Sequence, residues 1–155
     1  MSAEGVLDAA RARGVRIATA ESCTGGLLAA ALTALPGSSR VFERGFVTYS
    51  NEAKIEMLGV GRATLEAHGA VSEAVAAEMA AGALSRSRAQ LAVAITGIAG
   101  PGGSEHKPEG RVCFGTATPD GVRTGTVEFG PLGRDRVRAA SVERALALLA
   151  AALAG

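Results

Sequence analysis

The hydrophobic spacing changes several times along the chain, and each change predicts an element. Val6, Leu7 and Ala10 recur at helical spacing, which predicts a helix over Ala3–Arg13 ended by Gly14. "VRIATA", Val15 to Ala20, is a short apolar run and reads as a buried strand. "TGGLLAAALTALPG" predicts a helix that opens near Thr24 and stops at Pro36-Gly37. Val41 to Ser50 alternates and is rich in aromatic and β-branched residues, the signature of a strand. "NEAKIEMLGV" predicts a short helix capped by Ser50 or Asn51. "VSEAVAAEMAAGALSRS" predicts a long helix capped by Ser72, and "AQLAVAITG" a buried strand. "RVCFGTATPDGVRTGTVEFG" reads as a hairpin turned at Pro119-Asp120-Gly121, and Gly133 to Ala154 as a closing helix. Helices alternating with strands, plus one late hairpin, predict an α/β fold. The expected form is a three-layer α/β/α sandwich with a mixed sheet that includes the hairpin. With no repeat or linker, residues 1–155 are expected to form a single domain.

Composition narrows the function classes. The net charge is +1, with no basic block and no aromatic ladder, so a nucleic-acid partner is not expected. No apolar run reaches the ~20 residues that cross a bilayer, so no membrane partner is expected either. The Ala-rich tail after Arg144 reads as a packed helix. The N-terminal segment is amphipathic and carries acids, unlike a signal peptide, and the expected location is cytoplasmic. Cys23 and Cys113 lie far apart and are expected to stay reduced; His68 and His106 are also isolated. No metal or cofactor is expected.

Three stretches can carry chemistry. In "ATAESCTGG", Ser22 sits at a strand-to-helix turn, where free N–H groups can hold a phosphate or an oxyanion. On these residues alone the commoner role is simpler: Ser22 or Thr24 caps the helix, Glu21 is a satisfied polar group, and Cys23 is a buried thiol. In "TYSNEAK", Lys54 falls in the first turn of a helix, where the dipole and burial both disfavour its charge. A solvated surface lysine is the commoner outcome. Tyr49, the only tyrosine, is either an edge-of-core ring or a site residue. The loop from Gly97 to Gly110, preceded by Thr96, is long enough to be functional or to be a flexible flap. His106 and Lys107 in it could meet an anion, but it lacks the ending of a Walker-type phosphate loop. Together the stretches suggest Ser22 as nucleophile and Lys54 as base, with His68 a surface residue between helices.

The runs "AESCTGG", "FERGFVTYSNEAK", "HGAVSE" and "AITGIAGPGG…KPEG" closely resemble the CinA C-terminal domain family, in order and over nearly the whole chain. With no second domain in the chain, the resemblance extends to the free-standing nicotinamide mononucleotide deamidases. It implies hydrolysis of the carboxamide of nicotinamide mononucleotide to nicotinate mononucleotide and ammonia, by a Ser/Lys amidohydrolase without metal or cofactor. Ser22, Lys54 and Tyr49 would be catalytic. Thr24, Gly25, Gly26, Thr96, Gly97, Gly102, Gly103 and Arg134 would bind the mononucleotide. "LGRDRVR" has Gly133 where the family usually has aspartate, so either Arg134 or Arg136 would meet the phosphate. Ser104, Glu105 and His106 follow "GPGG", where the family usually has a small residue. The alternative function is a non-catalytic pyridine-nucleotide-binding or interaction module. The apolar closing helix leads to the expectation of a homo-oligomer, with a dimer favoured.

Overall fold

The structure is a computed structural model that describes residues 2–155. The first helix, α1 (Ala3–Arg13), starts where Ser2 Oγ accepts from the Gly5 amide at 3.1 Å. It ends at Gly14, whose φ of 65° returns its amide to the last carbonyls. Then follow β1 (Ile17–Glu21), α2 (Leu27–Thr33), a 3-10 turn (Ser38–Arg40), β2 (Phe42–Val47), α3 (Asn51–Leu58), α4 (Arg62–His68) and α5 (Glu73–Ser85). β3 (Leu91–Gly97), β4 (Arg111–Thr118), β5 (Gly121–Glu128) and α6 (Arg134–Ala154) complete the chain.

The sheet has five strands in the order β2-β1-β3-β4-β5. β1 runs parallel to both β2 and β3, while β3/β4 and the β4/β5 hairpin are antiparallel. This is the expected α/β arrangement with a mixed sheet and late hairpin. On one face, Val6, Leu28, Leu32 and Leu149 from α1, α2 and α6 pack with Ile17, Val93, Ile95 and Phe114. On the other, Leu58, Leu65, Met79 and Ala83 from α3, α4 and α5 pack on Ala18, Ala20, Ala92 and Ala94. The alanines of β1 and β3 let α5 lie close to the sheet. The contact between α3 and α5 is closer still: a Cβ at Gly82 would stand 2.0 Å from the Leu58 carbonyl oxygen.

Two expectations are corrected, and one helix goes beyond them. α2 begins at Leu27 rather than near Thr24, because "ESCTGG" is spent on a turn. β2 ends at Val47, short of Ser50, and leaves Val47 and Tyr49 exposed at the sheet edge. α4 has no capping side chain of its own. Glu78 of α5 instead accepts from the Gly61 amide at 2.7 Å and from Thr64 Oγ1 at 2.6 Å. That cap comes from a different helix, so nothing local announces it.

α6 bears on the expected oligomer. Val137, Ala145, Leu146, Leu149 and Leu153 are buried within the chain, against α1, α2 and the sheet. The apolar face that suggested a subunit interface is already covered.

Candidate active site

The carboxyl ends of β1, β2 and β3 meet at one edge of the sheet, the usual place for a site in an α/β fold. There the Ser22 amide donates to the Ile95 carbonyl at 2.9 Å, and the Thr48 amide to the Glu21 carbonyl at 2.8 Å. These bonds hold three chain segments together just beyond the strands.

Glu21 and Ser22 then part. The Glu21 carboxylate, fully buried, accepts from Thr24 Oγ1 at 2.6 Å and from the amides of Leu28 and Ala29 at 2.9 and 3.0 Å. It satisfies the open N-terminus of α2 from outside the helix, with its charge at the favourable end of the dipole. The residue at the N-cap is Gly26, at φ 107°, and it offers no side chain. The capping role expected of Ser22 or Thr24 therefore belongs to Glu21, and the Ser22 hydroxyl is released to the other side.

That hydroxyl meets Lys54. Ser50 caps α3 by accepting from the Ala53 amide, which orients the first turn so that Lys54 points inward. Lys54 is 1% exposed, not the surface lysine its residue type suggests. Its Nζ lies 2.9 Å from Ser22 Oγ, 2.9 Å from the Thr48 carbonyl oxygen and 3.5 Å from that of Tyr49. No carboxylate forms an ion pair with it among the described residues. Burial lowers its pKa from 10.5 to about 8, against a weaker opposing pull from the Glu105 carboxylate. Burial also pushes the Cys23 thiol up to about 11, so at neutral pH it is an uncharged, inert neighbour. Cys23 and Cys113 are both free and buried.

Ser22 and Lys54 open into a cavity of about 310 Å³, also lined by Cys23, Tyr49, Asn51, Ala70, Val71, Thr96, Gly97, residues 98–105 and Arg134. Thr96 Oγ1 is committed to the Ala70 carbonyl at 2.8 Å. Tyr49 is 62% exposed, and its hydroxyl accepts from Arg134 at 2.8 Å rather than bonding Ser22 or Lys54. Arg134 also donates to the Gly100 carbonyl at 2.9 Å and so spans the mouth. Arg136 does not line the cavity.

The Gly97–Gly110 loop is tied down. Lys107 Nζ donates to the carbonyls of His68 and Val71, each at 2.6 Å. Glu109 accepts from the Gly102 amide at 2.6 Å. Ser104 and Lys107 exchange backbone bonds of 3.0 and 2.8 Å. The ammonium of Lys107 is spent on this latch, and neither it nor His106 lines the cavity. Gly102 and Gly103 do line it, as expected.

Thr24, Gly25 and Gly26 do not line the cavity; they build the turn behind it. Arg138 braces that turn through the carbonyls of Cys23 at 3.1 Å and Thr24 at 3.4 Å. The sequence marks Arg138 only as part of the "LGRDRVR" run and gives it no site role, although it stands four residues after Arg134, on the same helix face. Among the described residues no group of His, Cys, Asp and Glu side chains is arranged to hold a metal ion.

A sequence profile of the CinA C-terminal domain matches residues 1–153. The chain belongs to the CinA C-terminal domain family. It is 54% identical over 147 residues to nicotinamide-nucleotide amidohydrolase PncC of Escherichia coli K12, covering 94% of this chain and 89% of that protein. It is 63% identical over 109 residues to a CinA-like protein of Chloroherpeton thalassium; that match takes 70% of this chain but spans only 26% of the longer relative. Among solved structures, the competence/damage inducible protein CihA from Agrobacterium tumefaciens superposes with a TM-score of 0.94 at 51% identity. That match covers 99% of this chain and 93% of the other. A CinA superfamily protein from Klebsiella pneumoniae gives a TM-score of 0.94 at 42% identity, covering 98% and 95%. The mixed sheet with its late hairpin is thus the CinA superfamily fold.

Proposed function

We propose that this CinA-family chain, acting as one domain over residues 1–155, hydrolyses the carboxamide of nicotinamide mononucleotide to nicotinate mononucleotide and ammonia. Ser22 is the nucleophile and Lys54 its general base. The observation that carries the reading is a buried amine, free of any ion pair among the described residues, 2.9 Å from a serine hydroxyl at the floor of an open cavity. The name of the E. coli relative supplies the substrate.

The three partners of Lys54 suit an uncharged amine. Two are main-chain carbonyl oxygens, which can only accept. A neutral amine has two hydrogens for them and one lone pair left, which faces Ser22. With a pKa of about 8, roughly a tenth of the amine is neutral at pH 7. Lys54 takes the Ser22 proton as Oγ attacks the carboxamide carbon. The Cys23 amide, next in the chain and donating to no main-chain carbonyl among the described residues, is a candidate donor to the oxyanion. Such a donor contributes about 3 kcal/mol to lowering the barrier. Lys54 then returns its proton to the leaving nitrogen, and the C–N bond breaks to give ammonia and a Ser22 ester. Water, deprotonated by the same amine, splits the ester, and the amine returns that proton to the departing Ser22 Oγ. Every proton in this scheme is carried by Ser22, Lys54 and water. Arg134 binds the phosphate at the mouth. Tyr49 acts through its carbonyl on Lys54 and through its hydroxyl on Arg134.

The test is ammonia release from nicotinamide mononucleotide by the wild type, Ser22→Ala and Lys54→Ala, with thermal unfolding of each. Both variants are expected to fold and to release none. Full activity in Ser22→Ala overturns the mechanism, and stabilisation by the nucleotide without ammonia points instead to a binding module.

A further inference from the structure

Three charged side chains line the cavity: Lys54, Arg134 and Glu105. The proposed reaction uses the first two. Glu105, the one carboxylate in the lining, has no part in it.

Its placement is built. Glu105 and His106 are the two non-glycine residues with positive φ among those described, 52° and 63°, and they form the tip between Ser104 and Lys107. The reciprocal Ser104–Lys107 backbone bonds close that tip as a tight turn of the type that needs two left-handed residues. The Lys107 latch to His68 and Val71 then presses the turn onto the chain between α4 and α5. A Cβ at Gly69 would stand 2.8 Å from Glu105 Oε2 and 2.9 Å from Lys107 Nζ, so any larger residue at Gly69 would displace both tips. Glu105 lines the cavity and Lys107 does not, although both side-chain tips lie against Gly69. The Glu105 carboxylate pulls weakly against the lowering of the Lys54 pKa by burial.

Resting on the proposed reaction, the geometry points to Glu105 as a specificity-determining residue: its carboxylate faces the pyridinium ring and selects a cationic, N-ribosylated nicotinamide over an uncharged one. The substrate carries charge in two places, a dianionic phosphate and a ring nitrogen made positive by its bond to ribose. Arg134 at the mouth matches the first. The ring bears the carboxamide directly, so with the amide carbon at Ser22 the ring lies in the cavity that Glu105 also lines. A carboxylate there offsets the positive charge of the ring. It also offsets the repulsion between the ring and any protonated Lys54. Free nicotinamide, with a neutral ring and no phosphate, gains from neither charged group.

The test compares the wild type with Glu105→Gln, which keeps the shape and removes the charge. Two compounds are used: nicotinamide mononucleotide, and its benzamide C-riboside monophosphate isostere, in which carbon replaces the charged ring nitrogen. The expected result is a loss of about five- to tenfold in kcat/KM for the cationic substrate, with the inhibition constant of the neutral isostere unchanged. Weakening of both compounds by the same factor, or of neither, overturns the proposal. Titration calorimetry of the two compounds on both proteins reads the same discrimination without turnover. A wild type that binds but releases no ammonia therefore sinks the hydrolase reading alone. A charge preference that survives Glu105→Gln sinks this inference alone.

Discussion

Glu21 and Ser22 are chain neighbours that serve opposite sides of the sheet: the carboxylate holds the amides of Leu28 and Ala29 in α2, and the hydroxyl meets Lys54 of α3. Removing the carboxylate leaves those two amides and the Thr24 hydroxyl without their partner inside the protein. Glu21→Ala is expected to cost about 2–4 kcal/mol, and Glu21→Gln less, measured by urea unfolding. A loss below about 0.5 kcal/mol in Glu21→Ala would mean that α2 is capped by something else.

In the proposed mechanism Lys54 sets the pH profile. The working form would be the neutral amine, and burial lowers its pKa to about 8. Log kcat/KM is therefore expected to rise with unit slope below pH 8 and to level off above it. Lys54→Arg, permanently charged, is expected to be inactive. A flat profile between pH 6 and about 8 would remove the amine as base.

The same shift acts on stability. The folded pKa lies below the unfolded value of 10.5, so between about pH 8 and 10.5 the unfolded chain binds the extra proton. Across that window stability from this group rises with pH; below it the burial penalty is present in full, about 3 kcal/mol. Lys54→Met is accordingly expected to be inactive but more stable than the wild type near pH 7, in a urea titration of both. Lower stability in Lys54→Met would show that the carbonyl bonds outweigh desolvation.

Arg134 and Tyr49 are expected to separate in steady-state kinetics. Arg134→Ala should raise KM at least about tenfold, since it removes the proposed phosphate partner. Tyr49→Phe removes only the acceptor that steadies Arg134 and should raise KM a few-fold with the pH profile intact. A fall in kcat beyond about a hundredfold in Tyr49→Phe would instead place the hydroxyl in proton transfer.

Lys107→Met tests the latch. It removes both bonds to the α4–α5 connection while leaving the cavity lining in place. A several-fold higher KM, kcat within about twofold and a stability loss near 1 kcal/mol are expected. Unchanged KM would mean that Glu109 and the turn hold the loop unaided.

Much of the fold was legible because its signals are local. Gly14, Ser50 and Ser72 are the caps their residue types announce, and Pro119-Asp120-Gly121 turns the hairpin. What stayed hidden depends on distant partners. α4 is capped by Glu78, α2 by Glu21, and Lys107 bonds carbonyls far back in the chain. In the site, the residue types of Ser22 and Lys54 pointed to capping and solvent, and only their meeting across 32 positions reverses both readings. The family motif put both residues forward as a pair before any geometry. The motif's glycines were less informative, because Gly25 and Gly26 shape a turn behind the cavity while Gly102 and Gly103 form its wall.

The chain uses lysine only twice, at Lys54 and Lys107, and arginine for every other basic side chain apart from histidine. Both amines are tied to main-chain carbonyls beside the cavity. Apart from the chain terminus, an amine-selective acylating reagent has no other side-chain target, so its mass increments become a direct readout of this region. Protection of one lysine by a bound nucleotide would separate occupancy of the floor from closure of the loop, in unlabelled, unmutated protein.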